Sequence, residues 1–147
     1  MQISNPQQQM MMRMAISEVF QKMFFMIPLA DLVVAKGKQF QCFVPIACPP
    51  DEELTLCLKI DQELALSLTE NFLGLSGDDI SEAQSNSTVL EILNMVAGNF
   101  LNQIDPLGRY QLGIPVAGIP KEGTISICEE FNFESHSLVV LLRGSIS

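Results

Sequence analysis

The sequence predicts an α+β fold of two layers, with helices packed on one side of a largely antiparallel sheet. Three observations predict it. The segments come in the order helix, two strands, two helices, three strands, which is not the regular alternation of a doubly wound sheet. Prolines and glycines punctuate the strand-like segments, as in hairpins. A chain of 147 residues, 48% hydrophobic and 17% charged, has the composition of one domain with a real core. That domain is read as residues 1–147, with residues 1–9 as a flexible lead-in.

The elements follow in order. Asn5-Pro6 can open a helix, Asn as cap and Pro in the first turn, and this helix should run to about Met26 and stop at Pro28. The polar and Met-rich "QQQMMMRM" within it has no evident role, and a disordered lead-in is its default reading. "FQCFVPIAC" (Phe40 to Cys48) reads as a strand, with Pro45 marking an edge or a bulge. Pro49-Pro50-Asp51 turns the chain into "ELTLCLKI" (Glu53 to Ile60), the second strand of a hairpin. Asp61 should cap the next helix, "QELALSLTENFLG", with Leu64, Leu68 and Phe72 among its apolar positions and Gly74 at its end. A long helical segment then ends near Ile104. Ser81 with Gln84 fits a capping box and a start near Asp79, but Ser85 or Asn86 could open a second helix, so one bent helix or two remain open. Three strands should follow, Tyr110 to Ile114, Thr124 to Phe131 and Ser137 to Arg143.

Charge and cysteine usage exclude several function classes. The net charge is −9, so the chain repels nucleic acid and anionic lipid, and neither is expected as a partner. "MQISNPQQQ" lacks the basic start of a signal peptide, and the run from Met10 to Ile27 carries Arg13, Glu18, Gln21 and Lys22, too polar for a membrane span. Cys42, Cys48, Cys57 and Cys128 form no CxxC pair and lie in apolar, strand-like surroundings, which predicts buried free thiols and a cytoplasmic location. No spacing suits zinc, and His136 has no Ser or Cys partner in the sequence, so neither a metal site nor nucleophilic catalysis is expected there.

The informative stretch is "STVLEILNMVAGNFLNQ", Ser87 to Gln103. At about 100° per residue, Ser87, Glu91, Asn94, Gly98 and Asn102 share one stripe, while Val89, Ile92, Leu93, Val96, Phe100 and Ile104 point the other way. Glu91 and Asn94 are therefore outward-facing neighbours. Gly98 beside them costs about 1 kcal/mol relative to Ala inside a helix, and close approach of another backbone is one reason to carry it. Between Lys59 and Arg109 there are eight carboxylates and no lysine or arginine. This segment cannot hold a phosphate alone, having neither a P-loop nor an arginine clamp. A Glu can still pair with a partner's lysine, and an Asn can aim a water by positioning it. A plain solvated helix face fits the same spacing.

"STVLEILNMVAGNF" followed by "YQLGIPVAGIP" resembles the CheC/CheX/FliY phosphatases of bacterial chemotaxis. Their pattern is Asp or Ser, three residues, Glu, two residues, Asn, and a Pro some twenty residues later, matched here by Ser87, Glu91, Asn94 and Pro115. "ELTLCLKIDQELALSLTENFLG" resembles the family's half-repeat, and "MAISEVFQKMFF" is similar to a degenerate motif helix, with Met14, Glu18 and Gln21 at the same spacing. One intact copy is CheX-like. The resemblance implies a two-layer α+β fold with an internal pseudo-repeat, a homodimer, and a phosphorylated CheY-like response regulator as partner. That regulator would bring its aspartyl phosphate, Mg2+ and active-site lysine, so the chain needs no cofactor of its own. Glu91 would engage the lysine, Asn94 would orient the attacking water, and Ser87 and Gly98 would lie at the contact with the partner. The competing readings are a non-catalytic regulator-binding adaptor or flagellar-switch relative on the same fold, and a small-molecule-binding domain, for which no convergent polar cluster is visible.

Overall fold

The computed structural model describes residues 5–146. Helix α1 (Asn5–Phe24) is followed by strands β1 (Gln39–Cys48) and β2 (Glu52–Asp61), then helix α2 (Gln62–Leu73) and helix α3 (Glu82–Ile104). Two short strands, β3 (Gln111–Leu112) and β4 (Val116–Ala117), precede β5 (Ile125–Phe133) and β6 (His136–Arg143). The sheet runs in the order β3-β1-β2-β6-β5 with β4 also on β1, and every pairing is antiparallel. A helix followed by a long hairpin thus occurs twice, and the two hairpins meet where β2 pairs with β6. No helix among the described residues is long and apolar enough to cross a membrane.

Alternation along the strands makes one face of this sheet the floor of the core. Val44 pairs with Leu56, Leu56 with Leu142, and Leu142 with Ile127, a row of buried side chains across the sheet. The opposite face carries Phe43, Lys59, Val139 and Arg143, partly or fully exposed. The helices cover the first face. Phe20 of α1 stacks on Phe133 of β5 at 4.1 Å between centroids, and Arg13 lies 4.4 Å over the Phe131 ring while pairing with Glu129 at 2.8 Å.

Several expectations are revised. Residues 5–9, read above as part of a flexible lead-in, and the whole of "QQQMMMRM" (7–14) belong to α1, and residues 1–4 lie outside the described residues. The long segment is one helix: Ser81 accepts from Gln84 N and Gln84 reaches back to Ser81 N, the reciprocal capping box, while 77–79 forms a separate 3-10 turn. The strand expected at Tyr110 to Ile114 shrinks to two residues, and β4 was not foreseen. Pro45 falls between them: β3 ends opposite Ile46 and β4 begins opposite Phe43. A strand residue's N–H and C=O point to the same side, and Pro45 O accepts from Gly113 N at 2.8 Å, so the missing N–H faces this break in pairing. A Cβ at Gly113 would sit 2.8 Å from Pro45 O, which is why the crossing needs glycine. The thiols are free, but only Cys42 and Cys57 are buried; Cys48 is half-buried and Cys128 is exposed on the outer face. Burial pushes the Cys42 thiol up to about 12, beyond reactivity at neutral pH.

Asp61 is the other departure. It precedes α2, yet its carboxylate makes no capping bond to that helix. Fully buried, it accepts from Lys36 N at 3.1 Å, Gln39 Nε2 at 2.5 Å and Ser137 N at 2.9 Å, with His136 Nδ1 3.4 Å away. One charge thereby ties the 25–38 segment, β1, the end of β2 and the start of β6 together. Burial alone would raise its pKa; the hydrogen bonds from Ser137, Gln39 and Lys36, with His136, outweigh that and hold it below the ordinary value of 3.8. A lowered carboxylate stabilises the fold fully above its unfolded pKa, and that contribution is lost as pH falls through the folded one. Asp61→Asn should lower the unfolding free energy by about 3 kcal/mol at neutral pH. In urea titrations across pH, its deficit against the native chain should narrow only below 3.8.

Candidate functional site

The position of the site follows from how α3 is buried. Ten of its residues are buried, among them Val89, Ile92, Leu93, Val96, Phe100 and Ile104. They pack against α1, α2 and β1. The remaining stripe has to face outward. Ser87 and Glu91 are exposed, and Asn94 and Gly98 are half-buried, so the structure brings the four predicted residues onto one face. Pro115 immediately precedes β4, and β4 packs against α3, which places the proline's segment beside this helix as well.

Glu91 and Asn94 have no hydrogen-bond or ion-pair partner among the described residues. That freedom is informative by contrast with α1. Glu18, at the equivalent place in the degenerate copy, accepts from Lys22 Nζ at 2.6 Å and from Asn99 Nδ2 at 3.0 Å. Asn99 Oδ1 in turn accepts from Gln103 Nε2 at 2.9 Å. The bond from Lys22, then that from Asn99, hold the Glu18 carboxyl below the usual glutamate range. One carboxylate of the two is therefore satisfied inside the chain, and the other is left open. Sequence reasoning missed this difference, because Asn99 lies 81 residues from Glu18 and only the packing of α1 on α3 unites them.

Among the described residues a Cβ built at Gly98 meets nothing within 4 Å, so no other backbone among them makes the close approach. The glycine leaves open surface next to Asn94. Its helical interior position makes Gly98→Ala stabilising by about 1 kcal/mol, which a raised melting temperature would register.

Two residues of α2 belong to the same surface. A groove of about 350 Å3 runs between the C-terminal turn of α2 and α3, lined by Phe72, Leu73, Gln84, Ser87 and Glu91. Phe72 was expected among the apolar positions of α2; unlike Leu64 and Leu68, which are fully buried, it is 43% exposed. Its periodicity was visible, but in the fold its ring meets Phe24 of α1 on one side and lines the groove on the other. Chemically, the site offers a free carboxylate and a free amide on a rigid helix, with no cation on the same stripe.

A family profile described as "Chemotaxis phosphatase CheX" matches residues 43–135. No curated protein sequence matches the chain. Among solved structures, the chemotaxis protein CheX from Vibrio vulnificus superposes with a TM-score of 0.75 at 18% identity, covering 97% of this chain and 99% of that one. The CheX component of a CheX-CheY-BeF3-Mg2+ complex from Borrelia burgdorferi gives 0.64 at 17% identity, covering 97% and 100%. A FliM middle domain from H. pylori gives 0.53 at 13% identity, covering 90% and 84%. At these identities the structural likeness speaks for the fold.

Proposed function

The chain belongs to the CheX family of chemotaxis phosphatases, and from that premise we propose that it hydrolyses the aspartyl phosphate of a CheY-like response regulator through Glu91 and Asn94. The observation that carries this reading is the open pair itself: a carboxylate and an amide side by side on α3, unsatisfied within the chain, while the equivalent Glu18 is satisfied. The Borrelia complex supports the choice of partner, since there a CheX-type chain is bound to CheY.

In the proposed reaction the regulator brings its phosphorylated aspartate, its lysine and its Mg2+. Glu91 pairs with the lysine and fixes the register of docking. Asn94 accepts from and donates to one water and directs it at phosphorus, acting by position, since an amide is a weak base. The water oxygen bonds to phosphorus, the bond from phosphorus to the aspartyl oxygen breaks with its electron pair staying on the regulator's regenerated carboxylate, and inorganic phosphate leaves carrying the water's proton. The absence of a cation on the α3 stripe fits this division of labour, because the positive charge comes from the partner. Ser87 and the open surface at Gly98 lie at the contact. We also propose a cytoplasmic homodimer, as the CheX-like single motif implies; sedimentation of the purified chain tests the dimer.

A fold shared with a FliM middle domain leaves room for a non-catalytic binding module; the free Glu91 and Asn94 favour the enzyme. The test is the decay of phosphorylated regulators in Mg2+ with the native chain and two variants. Asn94→Ala should slow catalysed decay by about a hundredfold at saturation with an unchanged melting temperature. Glu91→Ala should weaken binding by about tenfold. Regulator binding without any acceleration of decay would sink the phosphatase and leave the adaptor.

A further inference from the structure

Around Glu91 the surface is apolar and exposed. The groove that Glu91 and Ser87 line has Phe72 and Leu73 as its opposite wall, 43% and 42% exposed. The end of α1 adds to it. Asn71 Nδ2 donates to Phe24 O at 3.5 Å, and the Phe24 ring lies 6.5 Å from that of Phe72. The antiparallel pairing that sets Glu18 beside Asn99 carries the end of α1, about two turns further on, to the level of Ile92. There α1 closes with Phe25 N donating to Gln21 O and Met26 N to Phe20 O, each at 3.2 Å. This closure puts Phe25 in the left-handed region, φ 55°, where glycine is the usual residue. Its ring is 87% exposed. Phe25 thus presents an exposed ring from a left-handed backbone directly after Phe24, whose own ring meets Phe72 of the groove.

We propose that Phe25, Phe72 and Leu73 form an apolar collar that docks the surface of the response regulator around its phosphorylation site. This deepens the phosphatase reading and rests on it. The occupant is the regulator and not a second copy of this chain, because a body engaged by Glu91 necessarily covers the groove that Glu91 lines. Apolar contact there supplies affinity that a single exposed carboxylate does not. It also removes water from around the Glu91–lysine pair and so strengthens it. The collar therefore sets affinity and partner choice, while Asn94 sets the chemical rate.

The experiment titrates a CheY-like regulator loaded with beryllofluoride and Mg2+ onto the native chain, Phe25→Gly, Phe72→Ser and, as a remote control, Leu107→Ser, itself 83% exposed. Phe25→Gly removes the ring and relieves the backbone, so it should melt no lower than the native chain yet bind about five- to tenfold more weakly. Its decay rate constant at saturation should stay within about twofold of native, since the collar acts on binding and not on chemistry. Phe72→Ser should also bind more weakly, and Leu107→Ser should bind as the native chain does. Native affinity in both Phe25→Gly and Phe72→Ser would overturn the collar even with catalysis intact. Native-chain binding without faster decay would overturn the phosphatase reading, and the same titration would still judge the collar. No binding by the native chain would overturn both.

Discussion

The rest of the structure depends on the one-sided burial of α3. Its apolar stripe meets α1, α2 and the sheet at once, and this fixes the rotation of the helix about its own axis. A turn of one residue in that rotation would carry buried leucine, isoleucine and phenylalanine into water, at about 1.5–3 kcal/mol for each side chain. Glu91 and Asn94 need no local support to point outward, because the core holds the opposite face inward. The precision of the site is thus inherited from packing. A polar pair on a loop would lack it.

Much of this was legible in the chain itself. The period of α3, the capping box at Ser81 and Gln84, the Gly74 stop of α2 (φ 67°) and the hairpin around Pro49-Pro50 are local signals, and each lies where its chemistry put it. What escaped was long-range. Asp61 reads as a helix cap in sequence, but its carboxylate is used by donors 25, 22 and 76 residues away. The shortness of β3 and the existence of β4 are set by where Gly113 can cross Pro45, which no alternation in "LGIPVAGIP" announces. Cys128 sits in an apolar-looking strand but on its outer face, and only register decides that. In the site, the motif spacing located Glu91 and Asn94. The exposure of Phe72 and the Asn99 bond to Glu18 depend on how the three helices lie together, whereas the Lys22 bond to Glu18 is a local i,i+4 pair within α1.

Asp61 and the site are joined through α2. The carboxylate anchors the strand end from which α2 departs, and the opposite end of α2 presents Phe72 and Leu73 to the groove. A buried charge that is fully hydrogen-bonded makes a rigid junction at a large desolvation cost, which its donors offset. Such an anchor far from a contact surface keeps that surface in place without taking part in it.

The closed state of Glu18 has a consequence for dose. Two helix-and-hairpin halves could in principle serve two regulators, but the α1 carboxylate is already held by Lys22 and Asn99. Under the proposed reaction each chain then serves a single regulator per encounter. Wherever catalysed decay dominates, the lifetime of the phosphorylated signal would then fall in inverse proportion to the number of chains present, so expression level becomes one setting of the system's memory.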